Sequence, residues 1–203
     1  TLDYYDHSII DSTHIYLSRN GQATQGSYRD KLIGVPSSYA VFGVNAAAAM
    51  FTRDLIEKQP YKDFFDETMF MYLEDVDVAM RSVMMGYKNY CVKDTFAYHM
   101  GSASSKNNRT FPAYMTFRNN TGLLFKNVPI TILIKLFPRI IHSDRQRIKH
   151  LKALNRKDEA RSVLKGRLVG LLYIPIFILK RMKLRPFRDV DKKYLWSIMK
   201  KGY

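Results

Sequence analysis

From Ser8 to Ser18 the apolar residues Ile9, Ile10, Ile15 and Leu17 are interleaved with Thr13 and Tyr16, a pattern that predicts a strand. Arg19-Asn20-Gly21 then supplies turn chemistry, and the polar stretch to Ser38 reads as a loop. Tyr39 to Val44 predicts a second strand. The small-residue run Ala46 to Ala49 leaves two readings open: helix by propensity, or a buried strand whose short side chains leave room above it. Arg53 to Gln59 predicts a short helix stopped by Pro60.

The strongest periodic signal in the first half is Leu73 to Met85. Val76, Met80, Val83 and Met84 recur at helical spacing and make one apolar face. Glu74, Asp75 and Asp77 crowd its first turn, where the helix dipole favours carboxylates, and Gly86 stands where a left-handed cap would end it. Lys88 to Val92 and Thr95 to His99 predict two short strands split by Lys93-Asp94. Gly101 to Arg109 reads as a flexible loop by composition. From Phe111 the pattern is helical, with Tyr114, Phe117, Leu124 and Phe125 on the buried faces. No internal repeat is visible.

The last third changes character. Val128 to Ile141 and Leu168 to Leu179 are apolar, yet Pro129, Pro138 and Pro175 interrupt them and basic residues flank them. The longest apolar run, Leu168 to Leu179, is 12 residues, well short of the ~20 that a spanning helix needs. Apolar segments bracketed by Lys and Arg suit a helix lying in a membrane interface; the competing reading is a pair of core helices with solvated basic ends. On the interfacial reading, Leu171, Leu172, Ile174, Phe177 and Ile178 face lipid, and Lys165, Arg167, Lys180, Arg181 and Lys183 supply the charge.

Charge sharpens this division. Residues 1–120 carry 12 Lys/Arg against 13 Asp/Glu, a net of −1, whereas residues 121–203 carry 21 against 5, a net of +16. A basic tail of that kind points to an anionic partner. The tail has no nucleic-acid motif and its basic residues flank apolar runs, so the expectation is an anionic membrane surface and no nucleic acid. With 203 residues and 46% hydrophobic content the chain can bury a proper core, and its single cysteine excludes a disulfide framework. Thr1 to Asp11 shows no secretory signal, and the absence of an initial Met points to an upstream part.

Only one region concentrates groups suited to acid–base or metal chemistry. It runs from Asp66-Glu67 through Glu74, Asp75 and Asp77 to His99. A carboxylate at a helix N-terminus is held ionised by the dipole and free N–H groups, and so can accept a proton. Three carboxylates within four residues exceed what capping requires, although acidic helix starts are commonly structural. His99 closes an aromatic strand. Its imidazole could give a metal one nitrogen, with oxygens needed from elsewhere. Phosphate-loop, nucleophile-elbow, zincin and dinucleotide motifs are all missing. Cys91, in a predicted strand, reads as buried, and Asp189-Val190-Asp191 reads as surface charge.

Taken together, the segment Phe42 to Arg53 (FGVNAAAAMFTR), Phe65-Asp66-Glu67, Phe70 to Asp77 (FMYLEDVD), Arg81, Gly86-Tyr87, Tyr98-His99, Gly101-Ser102 and Tyr114 to Asn119 resembles the C-terminal part of family 2 inverting glycosyltransferases of the GT-A fold. The likeness is to rhamnosyltransferase-like enzymes that build bacterial surface and cell-wall polysaccharides. It implies an α/β fold: a partial GT-A (nucleotide-diphospho-sugar transferase-like) domain with a basic helical C-terminal extension. It implies that Asp75 is the general base, that Glu74, Asp77 and Arg118 contact substrate, and that His99 is a ligand of a divalent metal, Mg or Mn. The family's N-terminal nucleotide-binding half, ending in an Asp-x-Asp motif, has no counterpart here. At about 30 residues per βαβ unit, roughly a hundred residues would precede Thr1.

The expected organisation is therefore residues 1–125 as the acceptor-side part of a glycosyltransferase domain and 126–203 as a basic amphipathic helical tail associated with membrane. The expected function is transfer of a sugar, with L-rhamnose one candidate, from a nucleotide-diphosphate donor to a hydroxyl of a surface polysaccharide or lipid-linked glycan. The expected location is the cytoplasmic face of the cell membrane, held peripherally. The alternative is a non-catalytic fragment that keeps the fold and docks on a membrane or partner.

Overall fold

The computed structural model describes residues 1–32, 38–60, 63–92, 94–101, 108–187, 190 and 192–200. Its elements run β1 (Leu2–Asp3), β2 (His14–Leu17), β3 (Ala23–Gly26), β4 (Tyr39–Val41), α1 (Arg53–Glu57), α2 (Glu74–Met84), β5 (Asn89–Cys91), β6 (Tyr98–His99) and α3 (Thr110–Asn127). They continue with α4 (Ile130–Ala153), α5 (Lys157–Leu172), α6 (Ile174–Leu184) and α7 (Lys192–Ile198). This is a mixed α/β structure in which the described strands form three two-stranded sheets: β1 parallel to β6, β2 antiparallel to β3, and β4 antiparallel to β5.

The expected first strand is shorter than its apolar pattern. Asp11 and Ser12 turn their N–H groups onto the Thr1 carbonyl, so regular pairing begins only at His14, while Ile9 and Ile10 make isolated bridges. Part of the expected polar loop is in fact β3. Its Thr and Gln side chains need no burial, because ladder hydrogen bonds with β2 and not apolar content hold it there. The predicted turn is present. Gly21 adopts φ +78°, and a Cβ there would lie 2.6 Å from Ile140, so the hairpin tip needs glycine twice over. Ala46 to Ala49 is neither helix nor buried strand. The Asn45 side chain accepts from Ala47 N–H at 3.0 Å and nucleates an exposed turn.

Helix α2 follows expectation closely. Val76, Met80, Val83 and Met84 are all buried. Gly86 sits at φ +83°, Tyr87 N–H reaches Ser82 O and Gly86 N–H reaches Val83 O, the double bond pattern of a glycine-terminated helix. The expected loop from Gly101 to Arg109 falls largely outside the described residues, as do Lys93, Asp189 and Asp191. Cys91 is half-buried on β5.

Two of the three tail prolines mark helix starts. Pro129 precedes α4 and Pro175 lies in the first turn of α6, positions where a missing N–H costs nothing; Pro138 lies inside α4. One apolar core joins β2, α2, α3, α4 and α7, through residues such as Leu17, Met80, Leu124, Leu136 and Leu195, and it continues across residue 126. Helix α5 lies close on α3 because Gly166 and Gly170 face it. A Cβ at either would lie 2.3 Å from Tyr114 O or 2.7 Å from Thr121 Oγ1. Phe177 was expected to face lipid. It is instead fully buried against Gly122 of α3, where a Cβ would meet its ring. Four of the five cations assigned to lipid also have partners within the fold. Arg167 binds Asp144, Lys180 binds Asp66, Arg181 donates to the carbonyls of Phe125 and Val128, and Lys165 lies 5.9 Å from the Tyr114 ring centre.

Candidate functional site

The segment leading into α2 is built around Asp66. Its carboxylate accepts from Thr68 N–H at 3.0 Å, capping a single 3₁₀ turn over Glu67–Met69, and also binds Lys126 at 2.5 Å and Lys180. Beyond that turn the backbone enters the left-handed region three times without a glycine: Phe70 at φ 58°, Tyr72 at 71° and Leu73 at 68°. Each such residue costs on the order of 1–3 kcal/mol unless its surroundings impose it. Here they do. Asn119, buried in α3, places its side-chain amide nitrogen 2.7 Å from Met69 O, 2.8 Å from Met71 O and 2.8 Å from Tyr72 O. Its neighbour Arg118 donates to Thr68 O at 2.7 Å while its guanidinium lies over the Tyr173 ring.

This loop delivers two adjacent carboxylates at the start of α2. Leu73 offers the helix no side-chain cap, so Glu74 and Asp75 lie among the unsatisfied N–H groups of the first turn. Asp75 accepts from Val76 N–H at 2.7 Å and from Ala46 N–H at 3.4 Å. Burial pushes the Asp75 carboxyl above the usual carboxylate range, and those N–H groups oppose the rise without cancelling it. Burial also raises Glu74, with the neighbouring charge of Asp75 adding to it. One Glu74 oxygen, Oε2, is buried with no hydrogen-bond partner among the described residues. Two half-desolvated carboxyls side by side, one with an uncommitted oxygen, form a group able to take a proton from a bound hydroxyl.

The other residues singled out in the sequence are placed differently. Asp77 does not share the site. It is fully buried in the core, bound to Arg81 at 2.9 Å, Lys126 at 2.6 Å and Asn127 at 2.7 Å. Burial alone would raise its carboxyl, but the charges of Lys126 and Arg81 outweigh that and hold it low. The expectation that Asp77 contacts substrate is therefore replaced by a structural role, whereas Arg118 is half-buried and clamps the loop through Thr68 O. His99, on β6, lies 2.9 Å through Nδ1 from Asp11 Oδ2, which also accepts from the Thr1 hydroxyl. With Nδ1 so engaged, Nε2 is the ring nitrogen left for another group, and the side chain is 36% exposed. No cluster of three or more His, Cys, Asp or Glu that could hold a metal occurs among the described residues. A concavity of about 320 Å³ bordered by Met85, Tyr87 and Phe187 lies at the opposite end of α2 from Asp75.

Sequence reasoning missed Asp11, Asn119 and Lys126 as site-building residues. Asn119-Asn120 carried a signal, since two consecutive Asn inside a helix run against propensity. No family model, curated protein or solved structure matches the chain.

Proposed function

We propose that the protein is an inverting glycosyltransferase with a GT-A-type arrangement, and that Asp75 is its general base. The observation that carries this reading is the Glu74–Asp75 pair, presented at an uncapped helix start and raised in pKa by burial. In this reading an acceptor hydroxyl of a surface polysaccharide or lipid-linked glycan lies against Asp75. Its oxygen attacks the anomeric carbon of the sugar, L-rhamnose being one candidate, while its proton passes to Asp75. The bond from that carbon to the nucleoside diphosphate breaks on the opposite face, and the diphosphate leaves with the electron pair. Glu74 Oε2 accepts from a hydroxyl of acceptor or donor sugar. A divalent cation, Mg or Mn, supplies positive charge to the leaving diphosphate when bound, and His99, oriented by Asp11, offers it Nε2.

The enzyme works peripherally at the cytoplasmic face of the cell membrane in this proposal, where a lipid-linked acceptor is found. A second reading, a non-catalytic docking module, is favoured by the apolar outer surface of α5 and α6. Turnover separates them. Asp75→Asn should lower sugar transfer by about 10²–10⁴-fold with donor binding unchanged. Transfer near the parent level would overturn the assignment of Asp75.

A further inference from the structure

Helices α5 and α6 both pack on α3, and on each the apolar residues left outside lie roughly opposite the packed face. On α5 the inward positions are Val163, Gly166 and Gly170, and the outward ones are Leu164, Leu168, Leu171 and Leu172. On α6 Phe177 and Leu184 point inward, and Ile176, Ile178, Leu179 and Met182 point outward. Leu172 is 78% exposed, and its neighbours are a third or more exposed. A helix that is apolar on both faces calls for a second apolar phase on the outside.

Charge selects that phase. Between Lys157 and Arg185 there are eight Lys/Arg and two Asp/Glu. Both acids have basic partners: Asp158 binds Arg161, and Glu159 is buried against Arg156. Exposed Lys157, Lys165 and Lys183 border the apolar residues. No single helix among the described residues is long and apolar enough to cross a membrane, and α5 and α6 are bent 58° at Tyr173. An apolar surface with a cationic rim and a central bend matches the headgroup boundary of an anionic bilayer.

We infer that the outer faces of α5 and α6 form a bent shelf that seats the protein on an anionic lipid surface, with Leu168, Leu172 and Leu179 inserted and Lys157, Lys165 and Lys183 at headgroup level. The inference rests on the membrane placement proposed above and is independent of sugar transfer.

The test is cosedimentation of the full chain with vesicles of phosphatidylglycerol and phosphatidylcholine, or of phosphatidylcholine alone. The parent should bind the anionic vesicles and bind neutral ones poorly. Leu168→Ser/Leu172→Ser/Leu179→Ser, which touches no buried position, should keep its circular dichroism and bind at least tenfold more weakly at every salt concentration. Lys157→Gln/Lys165→Gln/Lys183→Gln should bind with a shallower salt dependence. Three outcomes overturn the inference. A parent that ignores anionic vesicles removes the membrane placement as well. A parent that binds while the serine variant binds equally well removes only the shelf. A parent that is dimeric, and becomes monomeric in the serine variant with vesicle binding unchanged, assigns the face to a second copy instead.

Discussion

The side-chain amide of Asn119 lies 2.8 Å from the carbonyl of Tyr72, 47 residues earlier in the chain and held at φ 71°. This contact ties the middle of α3 to the backbone that presents Glu74 and Asp75. The strain before α2 is therefore sustained from outside the loop, by Asn119 with Arg118 beside it.

Asn119→Ala should release that loop. The three carbonyls would lose their common donor, a loss of about 1–3 kcal/mol in stability. Hydrogen exchange should rise in Phe70 to Asp75 while α4 stays protected. Uniform protection in the variant would show that the loop holds its own shape.

Asp75 titrates with the opposite sign to most carboxylates. Its raised folded-state pKa means that burying the charged form weakens the fold above that pKa, and the penalty disappears as pH falls through it. Asp75→Asn should therefore raise the melting temperature at pH 7 while turnover is lost. A variant less stable than the parent at pH 7, but not at low pH, would reverse the sign.

Lys126 is fully buried between Asp66 and Asp77. Lys126→Met leaves two buried carboxylates short of a partner and should cost about 3–5 kcal/mol, measured by denaturant unfolding. At both carboxyls burial acts upward, but Lys126, with Lys180 at Asp66 and Arg81 at Asp77, outweighs it and holds each below its ordinary value. Their stabilisation is present above the unfolded carboxylate pKa of ~3.9 and is lost as pH falls below it through the lowered folded values. Lys126→Met should flatten that acid limb.

Asp11→Ala frees the His99 ring from its orienting carboxylate. On the metal role proposed for His99, Mn²⁺ affinity measured by calorimetry with nucleoside diphosphate should fall by about 10–100-fold. Unchanged affinity would remove His99 from the metal.

Local pattern was enough to show α2, its apolar face, its glycine cap and the acidic first turn, because all of these are written within one or two turns of chain. The role of Asp77 was not legible, since its direction depends on Lys126 and Asn127, about 50 residues away. Its pairing with Arg81 four residues on was the one local hint. Phe177 was misread for the same reason. An apolar helix flanked by cations looks alike from either side until Gly122 shows which side is packed. The Ala46 turn is held by the Asn45 side chain and carbonyl and by Asp75, 29 residues on, which propensity averages away.

Helix α3 has two loads on one rod. Arg118 and Asn119 grip the loop before α2, and within one turn Gly122 and Thr121 receive Phe177 and Gly170 on adjoining positions of the helix. A stiff rod cannot roll at one of these points without rolling at the other. Changes that reseat α5 or α6 should therefore surface as altered hydrogen exchange in the loop that presents Glu74 and Asp75.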